Sequence, residues 1–426
     1  MLDKQSCIRN LLFLYARASS PDPQPLKAAP MQNDSLTQAG RIMTDFAHRT
    51  GLMSPGENRS RRYLWTDAFA LCNYLALFQL TGDKKYVDLA MRLVEQVHAV
   101  LGRHRLENAR RGPLSGLDER ESARHPTAGG LRIGKKLPER APGEPEDEQL
   151  EWDRDGQYYH YLTKWMHALC RMGSVTKSPE CIRWAAELAE RSNTAFIYQG
   201  ADGSKRMYWK MSIDLSRPQV RSMGHHDPLD GLITTMQVGT LCRRISASRC
   251  PDLAAGRADL AEMCRSVDWA TTDPLGLGTL LADALRLAQL RSLAEPSPLP
   301  GLLPDMLGAA VLGLAIFAKD DSLQHPAAFR LAFRELGLAI GLQALTRLET
   351  YLDRNPEIFG SGSVPVASLF SNLRQYQPLR EQILHFWLNR DNHQFSSWTE
   401  HEDINSVMLA TCLVPGGFLG NGEYPG

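Results

Sequence analysis

The chain has 426 residues, 43% of them hydrophobic and 23% charged, and its 48 basic and 48 acidic side chains cancel to a formal charge of zero. This is the composition of an ordinary globular protein, and the length by itself suggests two or three domains. A neutral chain has no global field for nucleic acid or anionic lipid, and no stretch reaches the roughly 18 uninterrupted apolar residues of a membrane span.

The first apolar run, CIRNLLFLYA, is broken by Arg9 and Asn10 and is followed by the proline-rich SSPDPQPLKAAP. It has no cleavage pattern, so a secretory leader is not expected, and residues 1–33 read as an irregular segment. The eight cysteines include no CxxC pair and fall mostly in apolar helical stretches. They read as free thiols behaving as small hydrophobes in a reducing compartment. A cytoplasmic protein with no cofactor and no metal is expected.

From residue 34 onward helical periodicity dominates. In KKYVDLAMRLVEQVHAVLG, Val87, Met91, Val94, Val97 and Leu101 recur at steps of three and four, the spacing of one buried helix face. The pattern predicts twelve helices, near 34–50, 65–80, 84–103, 156–172, 179–193, 228–245, 251–266, 275–293, 302–318, 325–352, 375–390 and 403–414. One segment, AFIYQGADGSKRMYWKMSIDLS, alternates around Gly200–Ala201–Asp202–Gly203 and predicts a β-hairpin insertion near 195–215. Connections after even helices are short (81–83, 173–178, 246–250), with 353–374 the exception. Those after odd helices are long (51–64, 104–155, 194–227, 267–274, 391–402). In an up-down array, alternate loops lie at opposite ends, so one end gathers the long loops, where function tends to reside. The hairpins beginning LWTDAFALCNYLALFQL and YYHYLTKWMHALCRMG also resemble each other, as repeats of one helical hairpin would.

This alternation, with WTD and EWDRDGQYYHYLTKW opening even helices, resembles the six-hairpin glycosidase superfamily over about 34–414. The resemblance implies an all-α (α/α)6 toroid of about twelve helices, one domain over 34–426 carrying a long basic loop at 104–155. It places a pocket where the inner helices begin and implies a carbohydrate-active enzyme with a small-molecule carbohydrate ligand. The superfamily holds glycoside hydrolases and sugar epimerase relatives, and fold alone does not choose between them.

The starts of the even helices are rich in acids and aromatics: Trp65 and Asp67; Glu151, Trp152, Asp153 and Asp155; His225, His226, Asp227 and Asp230; Trp269 and Asp273; Trp398, Glu400, His401, Glu402 and Asp403. Glycoside hydrolysis needs one protonated and one ionised carboxyl group, so Asp67, Asp153, Asp155, Asp227 and Asp230 are the catalytic candidates. Trp65, Trp152, Tyr158 and Trp398 would pack on the apolar face of a sugar ring. His160, His225 and His226 could hydrogen-bond it or move protons. The segment 102–140 carries ten Lys/Arg against five Asp/Glu, and its Arg132 and Lys135 are the candidates for an anionic sugar. Against these stand structural roles. Asp227–Pro228 and Asp273–Pro274 fit an N-cap followed by Pro, and Thr399 to Glu402 has capping-box spacing. Thr66 and Asp155 could cap the second and fourth helices, and His167 reads as a satisfied core histidine. The expected function is glycoside hydrolysis. The alternatives are a sugar isomerase, epimerase or lyase using His225 or His226, and a non-catalytic sugar- or protein-binding toroid. With no HxxxH or HExxH spacing, zinc is not expected.

Overall fold

The structure, a computed structural model, describes residues 30–53, 61–245, 250–265, 267–291, 299–355, 358 and 366–420. Its twelve principal helices are α1 (Pro30–Arg49), α2 (Leu64–Thr81), α3 (Lys84–Leu101), α4 (Tyr159–Thr176), α5 (Pro179–Phe196), α6 (Asp227–Ile245), α7 (Ala254–Met263), α8 (Pro274–Arg291), α9 (Leu302–Phe317), α10 (Ala332–Arg354), α11 (Pro378–Leu388) and α12 (Glu402–Leu413). Each coincides with a predicted helix. The largest shift is at α10, where Asp321–Gln324 and Ala327–Phe329 form 3-10 turns instead. Pro326 lies between them and holds His325 extended, as a residue before proline prefers.

Burial pattern sorts the helices into two layers. On α2 every residue from Leu64 to Leu77 is buried, so it needs neighbours on all sides. On α3 the buried residues, among them Val87, Ala90, Leu93, Val94 and Val97, form one stripe, so it needs one neighbour face. The even helices pack in a closed ring, α2 on α4, α4 on α6, α6 on α8, α8 on α10, α10 on α12, and α12 back on α2. The odd helices lie outside it, α1 on α12 and α2, α3 on α2, α5 on α4 and α6, α7 on α6, α9 on α8, and α11 on α10 and α12. Six inner and six outer helices make an (α/α)6 toroid. Gly82, the left-handed C-cap of α2, and Asp83, whose carboxylate caps α3 through Lys85 N, turn the chain in two residues.

The ring is drawn tight between α8 and α10 by glycine. A Cβ on Gly278 would stand 2.1 Å from the Gly337 carbonyl oxygen, and one on Gly341 would stand 2.5 Å from Gly278 Cα. The predicted hairpin is present as β2 (Ile197–Gln199) against β3 (Lys205–Met207). A second small sheet, absent from the sequence reading, joins β1 (Gln157–Tyr158), β4 (Lys210–Met211) and β5 (Pro218–Val220). Among the described residues no helix is long and apolar enough to cross a membrane.

Cys242 and Cys250 form a disulfide across the α6–α7 connection, with Cα atoms 6.1 Å apart, a spacing that suits the bond. The reading of every cysteine as a free thiol therefore fails, and with it the cysteine argument for a reducing compartment. Cys72, Cys170, Cys181, Cys264 and Cys412 are free and buried. Of the segment 1–33 expected to be irregular, residues 1–29, with Cys7, lie outside the described residues, and 30–33 belong to α1.

Gly278→Ala should lower stability by about 1–3 kcal/mol, the usual cost of overpacking, read as a fall in the urea midpoint. An unchanged midpoint would contradict the close α8–α10 approach.

Candidate functional site

The inner helices start at one end, and polar contacts join their starts around it. Tyr63 and Tyr161 share a 2.6 Å hydrogen bond between α2 and α4. His160 of α4 faces Asp227 of α6. His226, just before α6, meets the carbonyl of Trp269, before α8, at 3.0 Å. Asp273 before α8 pairs with Arg334 of α10 at 2.5 Å, and Phe333 N of α10 donates to Asn405 of α12 at 3.0 Å. Arg49 at the end of α1 binds Asp403 of α12 at 3.1 Å, and Arg62 donates to the Thr50 carbonyl at 2.8 Å, which closes the girdle. The acid- and aromatic-rich helix starts thus share one mouth.

Of the five candidate carboxylates, three are committed elsewhere. Asp155 is fully buried and does not cap α4, which begins four residues later after β1. Arg132 and Arg105 hold its Oδ2, while Gly134 N, Lys135 N and Gly156 N donate to its Oδ1. It is the anchor of the 104–155 loop. Arg132 is itself buried, bonded also to the Arg103 and Val100 carbonyls, and Lys135 donates to the Trp152 carbonyl. The expected basic hand over the pocket is therefore corrected: these side chains fold the loop. Asp67 is also buried. It pairs with Arg62 and accepts from Tyr63 N; Tyr63 is the N-cap of α2, so Thr66 does not cap it. Burial pushes its carboxyl up to about 6, with the Arg62 charge opposing. Asp230 is bonded to Lys164 at 2.9 Å and Arg286 at 3.0 Å, with Thr163 on its other oxygen. Burial alone would raise its carboxyl, but the Lys164 and Arg286 charges prevail and hold it far below the usual range.

Two remain at the mouth. Asp153 is exposed and its carboxylate makes no ion pair among the described residues. Asp227 is almost buried, and its Oδ2 lies 3.6 Å from His160 Nδ1. Neither of these two buried atoms has a hydrogen-bond partner. The couple tops a polar column down one face of α4. His160 meets Asp227, Thr163 and Lys164 meet Asp230, and His167 meets Gln237 of α6 at 2.9 Å. Steps of three and four put these residues on the lumen side. His167 is a satisfied core histidine, as expected; burial lowers it to about 3, and its Nε2 contacts the Phe418 carbonyl.

The aromatics divide in the same way. His160 stacks against Tyr158 and Trp209, with centroids 5.3 and 6.3 Å away, and meets Tyr161 edge-on at 4.8 Å. Trp152 is 50% exposed and edge-on to Trp209. Trp65 is buried between Phe69 and Tyr161. Trp398 is corrected from sugar platform to core: it is buried against Trp387 and His393. His225 is exposed beside Trp269, and burial lowers the pKa of His226. Asp273 caps α8 through Gly276 N, as expected. The Thr399–Glu402 capping box is absent, since Glu402 pairs with Arg49 and α12 has no side-chain cap. Sequence reasoning set Trp209 at the mouth and Tyr161 in the ring cluster after Trp152 without giving either a role, and it missed Tyr63 and the grip of Lys210 and Arg140 on buried Glu151. The density of rings in QYYHY and MYWK was the available signal.

No protein-family model and no curated protein matches the sequence. Among solved structures, the chain is similar to an inactive variant of the α-1,6-mannanase GH76A of Salegentibacter sp., at 11% identity over 91% of this chain and 99% of that one, with a TM-score of 0.48. It is also similar to the cellobiose 2-epimerase of Spirochaeta thermophila, at 13% identity over 85% and 100% of the two chains and a TM-score of 0.43. A third is a Klebsiella pneumoniae protein given as a possible member of the GH105 family, at 11% identity over 94% and 97% and a TM-score of 0.49. What the chain has is an (α/α)6 toroid, traced directly in its closed ring.

Asp155→Ala should cost about 3–5 kcal/mol by stranding Arg132 in the interior, and should speed proteolysis within 104–155. Cleavage at the wild-type rate would remove the anchor role. Asp67 gives a pH signature. Its folded pKa, about 6, exceeds the ordinary 3.8, so its stabilising contribution is full below about 4 and is lost as pH rises through about 6. The melting-temperature difference between wild type and Asp67→Asn should therefore shift against wild type from pH 4 to pH 7.

Proposed function

We propose that this protein is a carbohydrate-active enzyme whose acid–base centre is His160 with Asp227, acting on a neutral sugar at the toroid mouth. One observation carries the reading. A histidine nitrogen and a carboxylate oxygen face each other 3.6 Å apart, both without a hydrogen-bond partner, inside a wall of aromatic rings. A shift of a few tenths of an ångström closes that gap, and such bonds often tighten only when substrate is bound. Asp227 would then hold the Nδ1–H tautomer and leave Nε2 free to take a proton. Trp209 and Trp152 offer apolar ring surface, and Tyr161, whose hydroxyl pairs with that of Tyr63, lies against His160. A neutral sugar is favoured because Arg132 and Lys135 are spent on the loop.

This arrangement supports proton transfer on the sugar, as in isomerisation or epimerisation. His160 takes a proton from the carbon beside a carbonyl, leaving an enediolate, and a proton is returned to one of its carbons, so mass is conserved. It moves the histidine of that alternative from His225 and His226 to His160. Hydrolysis keeps a second reading through one observation: the unpaired Asp153 beside half-exposed Trp152 supplies another carboxylate. Incubation with neutral mono- and disaccharides, followed by mass spectrometry and NMR, separates the two, since hydrolysis shortens a chain and epimerisation does not.

His160→Gln and Asp227→Asn should each lower turnover roughly 10²–10⁴-fold, the range for a general acid–base group, with sugar-induced thermal shifts preserved. Turnover within twofold of wild type in both variants would sink the assignment.

A further inference from the structure

Beneath the mouth, the lumen narrows to a small cavity lined by Phe69, Lys164, Asp283, Ile340, Met408 and Phe418, among others. Its volume, about 20 Å³, holds one water-sized group. Phe418 forms part of its wall. This ring belongs to the short helix Gly416–Leu419 and stacks on Phe69 with centroids 4.5 Å apart. The helix is tied to α4 by His167 and Arg171, which contact the Phe418 and Gly417 carbonyls at 2.9 and 2.8 Å.

Four charged side chains meet on the polar side. Arg286 bridges Asp230 at 3.0 Å and Asp283 Oδ1 at 2.8 Å, and Lys164 binds Asp230 at 2.9 Å. Two cations and two anions cancel, so the cluster calls for no charged ligand. It does lack a hydrogen bond. Asp283 is 1% exposed, and its Oδ2 is buried with no partner, a condition native interiors rarely leave unmet. Lys164, on the same cavity, carries three N–H donors; its one described bond is to Asp230. A missing donor beside an available donor specifies a group that both gives and accepts, and the apolar remainder suits carbon.

We propose that this cavity is a binding site for a single hydroxyl group, donating to Asp283 Oδ2 and accepting from Lys164 Nζ. In the resting protein the hydroxyl is that of water. In the complex it is the hydroxyl at the end of the bound sugar's primary alcohol arm, which displaces the water. The second statement rests on the sugar reading above; the first does not.

The test has two arms. The first is a crystal structure of the full chain grown and cooled without polyols. Density for a water within hydrogen-bond reach of both Asp283 Oδ2 and Lys164 Nζ is expected, and a dry cavity would overturn the site. The second compares any neutral sugar that shifts the melting temperature with its analogue lacking the terminal hydroxyl. Wild type should bind the analogue about tenfold more weakly, the worth of a hydrogen bond to a charged group. Asp283→Leu, which keeps the branched shape but has no acceptor, should bind the two alike. Asp283→Asn, the gentler change, serves if the leucine variant does not fold. Water in the cavity with equal binding of both sugars assigns the site to water and overturns the sugar arm. Failure of every sugar to bind refutes the proposed function while the crystallographic arm still decides the site.

Discussion

A ring of six helices has a hollow centre, and the need to fill that hollow without stranding charge governs the rest of this molecule. The inner helices are buried on nearly every side, so any polar group they carry inward must find its partner across the lumen. On the α2 side the filling is aromatic, Trp65 on Phe69 on Phe418. On the α4, α6 and α8 side it is ionic, with Lys164 and Arg286 balancing Asp230 and Asp283. Buried ion pairs of this kind stabilise little overall, because desolvation offsets the attraction, but losing one partner is expensive. Their effect is to fix register. Each pair holds α4, α6 or α8 at one height, and the heights of those helices set how His160 meets Asp227.

The mouth follows the same logic one layer up. Asp155, bonded by two arginines and three backbone N–H groups, folds the long loop so that β1 and the start of α4 are presented rigidly. Glu151 does the same for β4 through Lys210. The rings around His160 therefore stand on elements whose positions are set by buried charge rather than by loop chemistry alone. A site built on such supports can leave a histidine and an aspartate slightly apart without losing their alignment.

The fold was legible in the sequence because it depends on patterns that a chain displays openly. Helical spacing from Val87 to Leu101 and the uneven loop lengths gave an up-down array of twelve helices, and the resemblance carried by the acid–aromatic helix starts implied the toroid. The candidate site was legible only as a neighbourhood. Asp155 and Asp227 look alike in sequence, each an acid at a helix start, and they differ in what lies across from them. Asp155 faces Arg132 and Arg105, 23 and 50 residues away, whereas Asp227 faces a histidine that closes no bond. No local rule conveys that. Asp283 was invisible for the same reason: it lies mid-helix in LLADALRLAQL and becomes informative only when the ring brings Lys164 beside it. Cys242 and Cys250 were misread because a bridge requires a turn geometry that spacing alone does not give.

The seam of the ring joins the two ends of the array. Asn73 of α2 donates to the Val407 carbonyl of α12 across a separation of 334 residues, and Thr411 of α12 donates back to Asn73. During synthesis, α2 emerges hundreds of residues before its second neighbour exists. Until α12 arrives, one flank of a helix built for full burial stands open to solvent, and every hairpin added in between extends an arc rather than closing it. Such an arc is a sticky intermediate. Ring closure therefore works as a late checkpoint in the life of each molecule: a chain halted anywhere before α12 would present its greasy inner flank to whatever proteins surround it.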